Sequence, residues 1–251
     1  MKKSRSFLAV LIVSLSYVLS PVTAKADLWD VPVLPGQSFR WVFVTSEFTN
    51  ATSTDISYYN DFVNGLADDA ATPISGVLGK PTIAYIDWKA IASTEAVNAR
   101  DNIEYSFAPI YTPTSILVAD DYDDLFDGNI SHQINITELG DEYDFWPDNP
   151  SPVWTGSNEN GYGREDLVLG LPDGELPESY YAGWGNASRT PFYWIEQGSD
   201  SADTLYPLYA ISEELTVVPV PGALILGATG LLSSTLGLIR LRRKHQEPGQ
   251  I

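Results

Sequence analysis

The stretch Phe39-Arg-Trp-Val-Phe-Val-Thr-Ser46 decides the fold. Its large apolar side chains, at Phe39, Trp41 and Phe43, recur at every second residue. Successive residues of a strand point to opposite faces of a sheet, so this period is typical of a β-strand. The aromatic side chains predict that the strand is buried on at least one side.

A helix is predicted shortly after this strand. Ser53-Thr54-Asp55 offers side chains suited to an N-cap, and apolar residues then recur at helical spacing. These residues are Ile56, Tyr59, Phe62, Val63 and Leu66. The helix is expected to end near Asp69, before Pro73, because proline cannot continue a helix.

The rest of the body reads as short elements between clusters of Pro, Gly, Asn and Asp. A second strand is expected at 82–88 and a short helix at 94–99. Further strands are expected at 115–119, 133–136, 153–155, 192–196 and 205–218, with a loop-rich region at 142–185. Because no repeat or linker divides the body, a single α+β domain is predicted.

The C-terminal region predicts a membrane helix. Residues 223–239 carry no charge, and at 1.5 Å per residue they span roughly 25 Å, slightly short of a hydrocarbon core of about 30 Å. A basic membrane stop follows, formed by Arg240, Arg242, Arg243 and Lys244. Such clusters stay on the cytoplasmic side. The alternative is a buried core helix, which would need a polar face that this segment lacks.

The N-terminal region predicts a signal peptide over residues 1–26. A basic start is followed by an apolar run at 7–19 and by small residues, Ala24 and Ala26, at a cleavage site. The alternative, a retained membrane helix, is disfavoured because the run is short and broken by serines. The two ends together predict an exported body at 27–216, anchored in the inner membrane by a sorting region at 217–251.

The tail resembles the PEP-CTERM sorting signal of Gram-negative bacteria. The residues that carry the resemblance are Val218, Pro219, Val220, Pro221 and Gly222, followed by the Gly-containing apolar run and the basic stop. Val220 stands where the family has Glu. The resemblance implies processing by an exosortase-type enzyme, release to the cell surface or medium, and association with a polysaccharide matrix.

Composition excludes several classes of function. The chain has a net charge of −19, and eight of its fourteen basic residues lie in the two predicted terminal segments, so the body does not favour nucleic acid or anionic lipid. There is no cysteine, which excludes thiol catalysis and Cys-ligated zinc. His132 is the single histidine of the body and would be the single base for a Ser/His/Asp triad.

The body also resembles a C-type lectin-like domain of bacterial exported proteins, over about residues 39–217. The resemblance rests on Trp41-Val-Phe-Val-Thr-Ser46, Ala99-Arg-Asp-Asn102, Pro109-Ile-Tyr111, Asp124-Leu-Phe-Asp-Gly128 and Val153-Trp-Thr-Gly156. It implies short strands, two N-terminal helices and a long loop-rich region. The disulfides and the sugar-binding motif of true C-type lectins are missing. The segment most similar to that motif is Trp146-Pro-Asp-Asn149. Sugar binding is therefore not implied by motif.

Two groups of residues are candidates for a binding site. Calcium prefers six to eight oxygen ligands in a flexible loop, and five aspartates fall within ten residues, at Asp120, Asp121, Asp123, Asp124 and Asp127. The alternative is a solvated turn. A smaller acidic group follows at 141–148. Aromatic residues that could form a carbohydrate platform are Trp146, Trp154, Trp184, Trp194, Tyr180 and Tyr181.

These observations favour an exported cell-surface or matrix protein with a non-enzymatic binding domain for glycan or another matrix component. The expected partners are an exosortase-type enzyme, the inner membrane during sorting, and a polysaccharide, with calcium as the candidate cofactor. One alternative is a polysaccharide-processing enzyme that uses a carboxylate pair. Another is a structural coat protein without a small ligand.

Overall fold

The computed structural model describes residues 28–144, 150–170 and 180–218. The strands in these ranges are Ser38–Val44 (β1), Trp88–Ala90 (β2), Ile110–Tyr111 (β3), Leu117–Ala119 (β4), Pro152–Trp154 (β5), Tyr181–Asn186 (β6), Gly198–Ser201 (β7), Tyr209–Ser212 (β8) and Leu215–Thr216 (β9). The α-helices are Ile56–Ala70 (α1), Ala99–Asn102 (α2) and Tyr122–Leu125 (α3). Short 3₁₀ helices lie at Ile83–Tyr85 and Phe192–Trp194.

Strand β1 is the centre of the main sheet. Its neighbours give the order β2-β8-β1-β3-β4, and β9 pairs with the beginning of β1. The pairing of β1 with β3 is parallel, whereas its pairings with β8 and β9 are antiparallel. Strands β5, β6 and β7 form a separate antiparallel sheet. The stretch that decides the fold thus connects elements from both ends of the body.

The two faces of β1 pack into two different hydrophobic clusters. Phe39, Trp41 and Phe43 lie in a cluster that includes buried side chains of α1 and β2. Val42 and Val44, on the opposite face, lie in a second cluster with residues of α2, α3 and β8. The strand is therefore buried on both faces, and the predicted strand at 39–46 is confirmed at 38–44.

Helix α1 confirms the predicted start. Asp55 is its N-cap, and the Asp55 carboxylate accepts a hydrogen bond from the Ser57 N–H at 2.9 Å. Tyr59, Val63 and Ala67 form its buried stripe. The helix continues one residue past the predicted end, and Ala71, with φ of +42°, stops it in the left-handed conformation.

Asparagine side chains cover the edge strand β2. Asn64 accepts a hydrogen bond from the Trp88 N–H at 3.0 Å and donates to the Trp88 carbonyl at 2.7 Å. Asn60 accepts from the Ala90 N–H at 2.9 Å, and Asn102 donates to the Ala90 carbonyl at 2.8 Å. Helices α1 and α2 thereby occupy the hydrogen-bonding groups that a sheet edge would offer to another chain.

The predicted fold class is wrong. The described residues form a mixed domain dominated by sheet, and α1 is its single helix longer than four residues, so neither a C-type lectin-like fold nor two full N-terminal helices is shown. The long loop-rich region is also corrected, because it contains β5 and most of β6.

The predictions of a membrane helix and of inner-membrane anchoring are corrected as well. No helix in the described ranges is long and apolar enough to cross a membrane. Helix α1 has 15 residues, and its exposed face carries Asp61, Asp68 and Asp69. The predicted span at 223–239 lies outside the described residues, as does the predicted signal peptide at 1–26.

Several shorter elements also differ from their predictions. The strand expected at 82–88 is a 3₁₀ turn followed by β2, and the strand expected at 192–196 is a 3₁₀ turn. The helix expected at 94–99 forms instead at 99–102, where Asn98 precedes it. The strand expected at 205–218 is interrupted between β8 and β9.

Candidate functional site

The predicted calcium segment forms α3 and the turn after it. Asp121 is the N-cap and accepts from the Asp124 N–H at 3.0 Å, and Asp124 accepts from the Asp120 N–H at 2.7 Å. Asp127 accepts from the Asn129 N–H at 3.0 Å. Three of the five carboxylates thus hold local backbone in place, as aspartates do at caps and turns.

Asp123 is different, because its carboxylate accepts a hydrogen bond from the Tyr105 hydroxyl at 3.0 Å. Across the described ranges, no three or more His, Cys, Asp or Glu side chains are grouped so that they could hold a metal ion. Calcium binding by this segment stays a prediction.

Other predicted site residues lie apart from this segment or outside the described ranges. Asp141, Glu142 and Asp144 are exposed, and Glu142 accepts from the Asn135 side chain at 2.8 Å. His132 is half-buried, with its Nδ1 3.0 Å from the Gln133 carbonyl. The residues outside the described ranges are Ala24, Ala26, Trp146, Asp148, Pro219, Val220, Pro221, Gly222, Arg240, Arg242, Arg243 and Lys244.

The three tryptophans of the predicted carbohydrate platform that lie in the described ranges, Trp154, Trp184 and Trp194, are all buried or partly buried. Trp154 and Trp194 are fully buried, and Trp184 is partly buried against the glycine at position 198. Tyr180 is half-buried, so Tyr181 is the exposed member among those of the set that the structure describes. The prediction was wrong for Trp154 and Trp194 because their large apolar surface is used in the core.

A different set of aromatic side chains is exposed beside the acidic segment. Phe107 is 77% exposed and Tyr105 is 51% exposed, and their rings meet edge to face with centroids 5.2 Å apart. Tyr105 in turn lies 5.0 Å from the ring of Tyr122, which is buried. The hydrogen bond to Asp123 fixes the far end of Tyr105 and raises the pKa of its hydroxyl, which therefore stays protonated at neutral pH.

Arg100 continues this surface. Its guanidinium lies 5.7 Å from the ring centroid of Tyr122 and 4.8 Å from that of Tyr162, which is 47% exposed. Cation–π contacts of this kind stabilise by about 0.5–1 kcal/mol at exposed sites. We call the set Tyr105, Phe107, Arg100 and Tyr162 the aromatic ridge. Tyr122 and Phe126 support it from below.

The Tyr162 end of the aromatic ridge depends on a glycine. Gly161 has φ of +75°, and its carbonyl accepts the Arg100 N–H at 3.1 Å. A Cβ at this position would lie 2.5 Å from a ring carbon of Phe126. Glycine is therefore required both by the backbone conformation and by the space available.

At the other end of the aromatic ridge, residues 105–108 alternate between solvent and core, with the small side chains inside and the large aromatic ones outside. Ser106 and Ala108 point inward, whereas Tyr105 and Phe107 point to solvent. The Ser106 hydroxyl donates to the Glu214 carboxylate at 2.8 Å, and its oxygen accepts the Ala108 N–H at 2.9 Å. These hydrogen bonds compensate the burial of the serine, so the aromatic pair remains outside.

A second, smaller aromatic pair lies on the 3₁₀ turn after β6. The rings of Phe192 and Tyr193 are 4.1 Å apart at 36°, and both are about two-fifths exposed. Tyr193 lines a shallow pocket of about 550 Å³ together with Arg189, Pro191 and Gln197.

Neither a known protein-family model nor a curated protein sequence matches this chain.

Proposed function

We propose that this chain is a non-enzymatic binding domain for glycan and that the aromatic ridge is its contact surface. The observation that carries the proposal is the exposure of Phe107 and Tyr105, whose rings stand in solvent beside carboxylates. Large exposed apolar side chains grouped with polar neighbours mark interaction surfaces. A pyranose offers matching chemistry, since its C–H face packs on aromatic rings and its hydroxyls donate to carboxylates.

The geometry favours binding of a chain rather than of a compact ligand. The aromatic ridge runs from Phe107 and Tyr105, over the buried ring of Tyr122, to Arg100 and Tyr162, and neighbouring groups in this series are separated by 4.8–5.7 Å. The surface is open, because the rings of Phe107, Tyr105 and Tyr162 are 77%, 51% and 47% exposed. An extended polysaccharide fits such a surface, whereas small molecules are usually enclosed in concave pockets.

The alternative of a carboxylate-dependent enzyme requires two facing carboxyl groups in a cleft, one of them kept protonated. The acids at the aromatic ridge are instead capping residues or, in Asp123, a hydrogen-bond acceptor on an exposed tyrosine. A coat protein without ligand gives no reason for two large aromatic rings, Phe107 and Tyr105, to be exposed side by side. We therefore rank glycan binding first.

A glycan array probed with the full chain, with calcium and again with chelator, tests the proposal. Wild-type protein is expected to bind a defined polysaccharide class, and Phe107→Ala and Tyr105→Ala are each expected to weaken binding about tenfold, the equivalent of about 1.4 kcal/mol. Tyr85→Ala is the matched control, because Tyr85 is 63% exposed and lies outside the aromatic ridge. No binding to any glycan would refute the function. Binding that survives both substitutions would place it elsewhere on the molecule.

We also propose that an exosortase-type enzyme processes the Val218-Pro-Val-Pro-Gly222 motif. What supports it is the sequence resemblance, together with the position of Val218, which is 40% exposed while its N–H bonds the Gly76 carbonyl at 2.7 Å. Mass spectrometry of the protein from its native cells is the test. A C-terminus at 219–222 supports processing, and an intact C-terminus refutes it.

A further inference from the structure

Arg40 is a buried cation in the middle of the main sheet. Arg40 is 2% exposed and lies on the face of β1 that carries Val42 and Val44. Its Nη2 donates to the Glu104 carbonyl at 2.7 Å. Its Nε is buried and has no hydrogen-bond partner among the described residues. A guanidinium is always charged, so a buried one without full hydrogen bonding is costly unless something binds it.

The ion pairs of the described residues do not include Arg40. The pairs are Lys80 with Glu213, Lys89 with Asp87, and Arg164 with Glu196. Burial lowers the pKa of Arg40, while the more distant carboxylates of Glu104 and Glu214 raise it. Those two acids therefore influence Arg40 through space without forming a salt bridge with it.

A small pocket lies against this guanidinium. Its volume is about 120 Å³, and its lining residues are Arg40, Asp87, Lys89, Asn102, Ile103, Glu104, Ser212 and Glu213. The donors that the lining can offer to a ligand are those of Arg40 and Lys89, because the Ser212 hydroxyl donates to the Glu213 carbonyl and the Asn102 amide donates to Ala90 and Asn60. The size suits a ligand of a few heavy atoms.

The charges around the pocket balance one another, which disfavours a ligand with more than one negative charge. Lys89 neutralises Asp87 at 3.1 Å, and Lys80 pairs with Glu213 from outside the lining. Arg40 then faces Glu104 as the remaining lining acid. A doubly charged anion such as phosphate would meet repulsion from these carboxylates, whereas a monoanion would meet less.

We propose that the pocket around Arg40 is a binding site for a small carboxylate group. The planar guanidinium presents parallel N–H donors that match the two oxygens of a carboxylate, and Arg40 has an unpaired Nε for such a contact. Lys89 on the pocket wall pairs with Asp87, which reduces the repulsion between that carboxylate and a bound anion. This site is independent of the aromatic ridge and does not require that the glycan proposal be correct.

The test is an NMR titration of the ¹⁵N-labelled full chain with sodium acetate, followed at the side-chain Nε–H resonance of Arg40. The resonance is assigned by through-bond correlation to the Arg40 backbone, which needs no Arg40 variant. Acetate and formate are expected to shift it saturably with a millimolar Kd, whereas chloride and phosphate at equal ionic strength are not. Lys89→Met is expected to weaken acetate binding by about 2–5-fold, since it removes one partly exposed charge.

Arg189→Met is the matched control, because Arg189 is exposed and lies on the Tyr193 pocket. It should leave the acetate Kd unchanged. The proposal is overturned if acetate leaves the Arg40 resonance in place, if chloride gives the same saturable shift, or if Lys89→Met and Arg189→Met have equal effects. The titration of wild type and Lys89→Met decides the question even if substitution of Arg40 unfolds the domain.

Discussion

Asn64 mimics a neighbouring β-strand for Trp88, accepting from its N–H at 3.0 Å and donating to its carbonyl at 2.7 Å. Both of those backbone groups belong to the edge strand β2, whose tryptophan is fully buried. One helix side chain therefore does what a further strand would do. The edge is protected without a change in sheet order.

We expect Asn64→Ala to lower the free energy of unfolding by about 2 kcal/mol, because it leaves two backbone groups of Trp88 without partners. Urea denaturation followed by tryptophan fluorescence measures it. Asn129→Ala is the control, since Asn129 is exposed, and it should stay within about 0.5 kcal/mol of wild type. Equal stability of the two variants would show that water replaces the asparagine at no cost.

Gly161→Ala should damage the aromatic ridge at its Tyr162 end. The new Cβ would lie 2.5 Å from Phe126, and φ of +75° strains any other residue. We expect a loss of about 1–3 kcal/mol in unfolding free energy, together with weaker glycan binding. Gly65→Ala, in the exposed part of α1 with open space around it, is the control and should be neutral or stabilising. Unchanged binding by a destabilised Gly161→Ala protein would exclude Tyr162 from the contact surface.

Chelation of calcium should leave glycan binding by the aromatic ridge unchanged. The contacts proposed there are stacking and hydrogen bonding, and Asp121, Asp124 and Asp127 already accept backbone hydrogen bonds. Calorimetry with and without chelator measures the difference. A stronger affinity with calcium, lost in Asp123→Asn but kept in Asp144→Asn, would instead identify the acidic segment as a metal site.

Stability should depend on Glu213 at acidic pH. Partial burial raises the pKa of this carboxyl, but the Lys80 ammonium and the Asp87 N–H outweigh it and hold the pKa below its usual 4.5. The contribution is fully present above about pH 4.5 and is lost as the pH falls through the lower folded-state pKa. The Glu213 side chain is 35% exposed, so the contribution is about 0–1 kcal/mol.

Glu213→Gln keeps an acceptor for Asp87 and removes only the charge. Its unfolding free energy should lie below that of wild type at pH 7 and converge with it as the pH falls through the lowered folded-state pKa of Glu213. Glu165→Gln, at an exposed site, should run parallel to wild type throughout. A constant difference between Glu213→Gln and wild type across this range would contradict the assignment.

The elements predicted correctly from the sequence are those with a pattern visible in neighbouring residues. The elements that were missed depend on contacts with distant parts of the chain. Strand β1 and helix α1 were predicted because period-two and helical spacings are visible over several residues. Strand β6 was missed because Gly183 and Gly185 weaken the strand pattern. Glycine is required at position 185 by a distant residue, since a Cβ there would lie 2.0 Å from the Trp194 carbonyl oxygen. Strand β7, with Gly, Ser and Asp, has no β-forming residue.

The aromatic ridge was not predicted from the sequence. The acidic segment drew attention to Asp123, yet the rings beside it were not identified. Residues 105–108 do alternate, but alternation cannot say which side faces the core when serine and alanine occupy the inner positions. Arg40 was predicted to lie on the second face of the strand, opposite the aromatic residues. Its burial could not be predicted, because elements further along the chain cover that face.

The pairing of β1 with β9 determines when the domain can fold relative to its translation. Ser38 and Thr216 are joined in register across 178 positions of the chain, and β8 pairs with the same strand. On a ribosome, the nascent strand β1 emerges long before either partner exists. Its aromatic residues must wait for almost the whole body to be translated, so the domain closes after elongation rather than during it, and slowly, as non-local pairing requires.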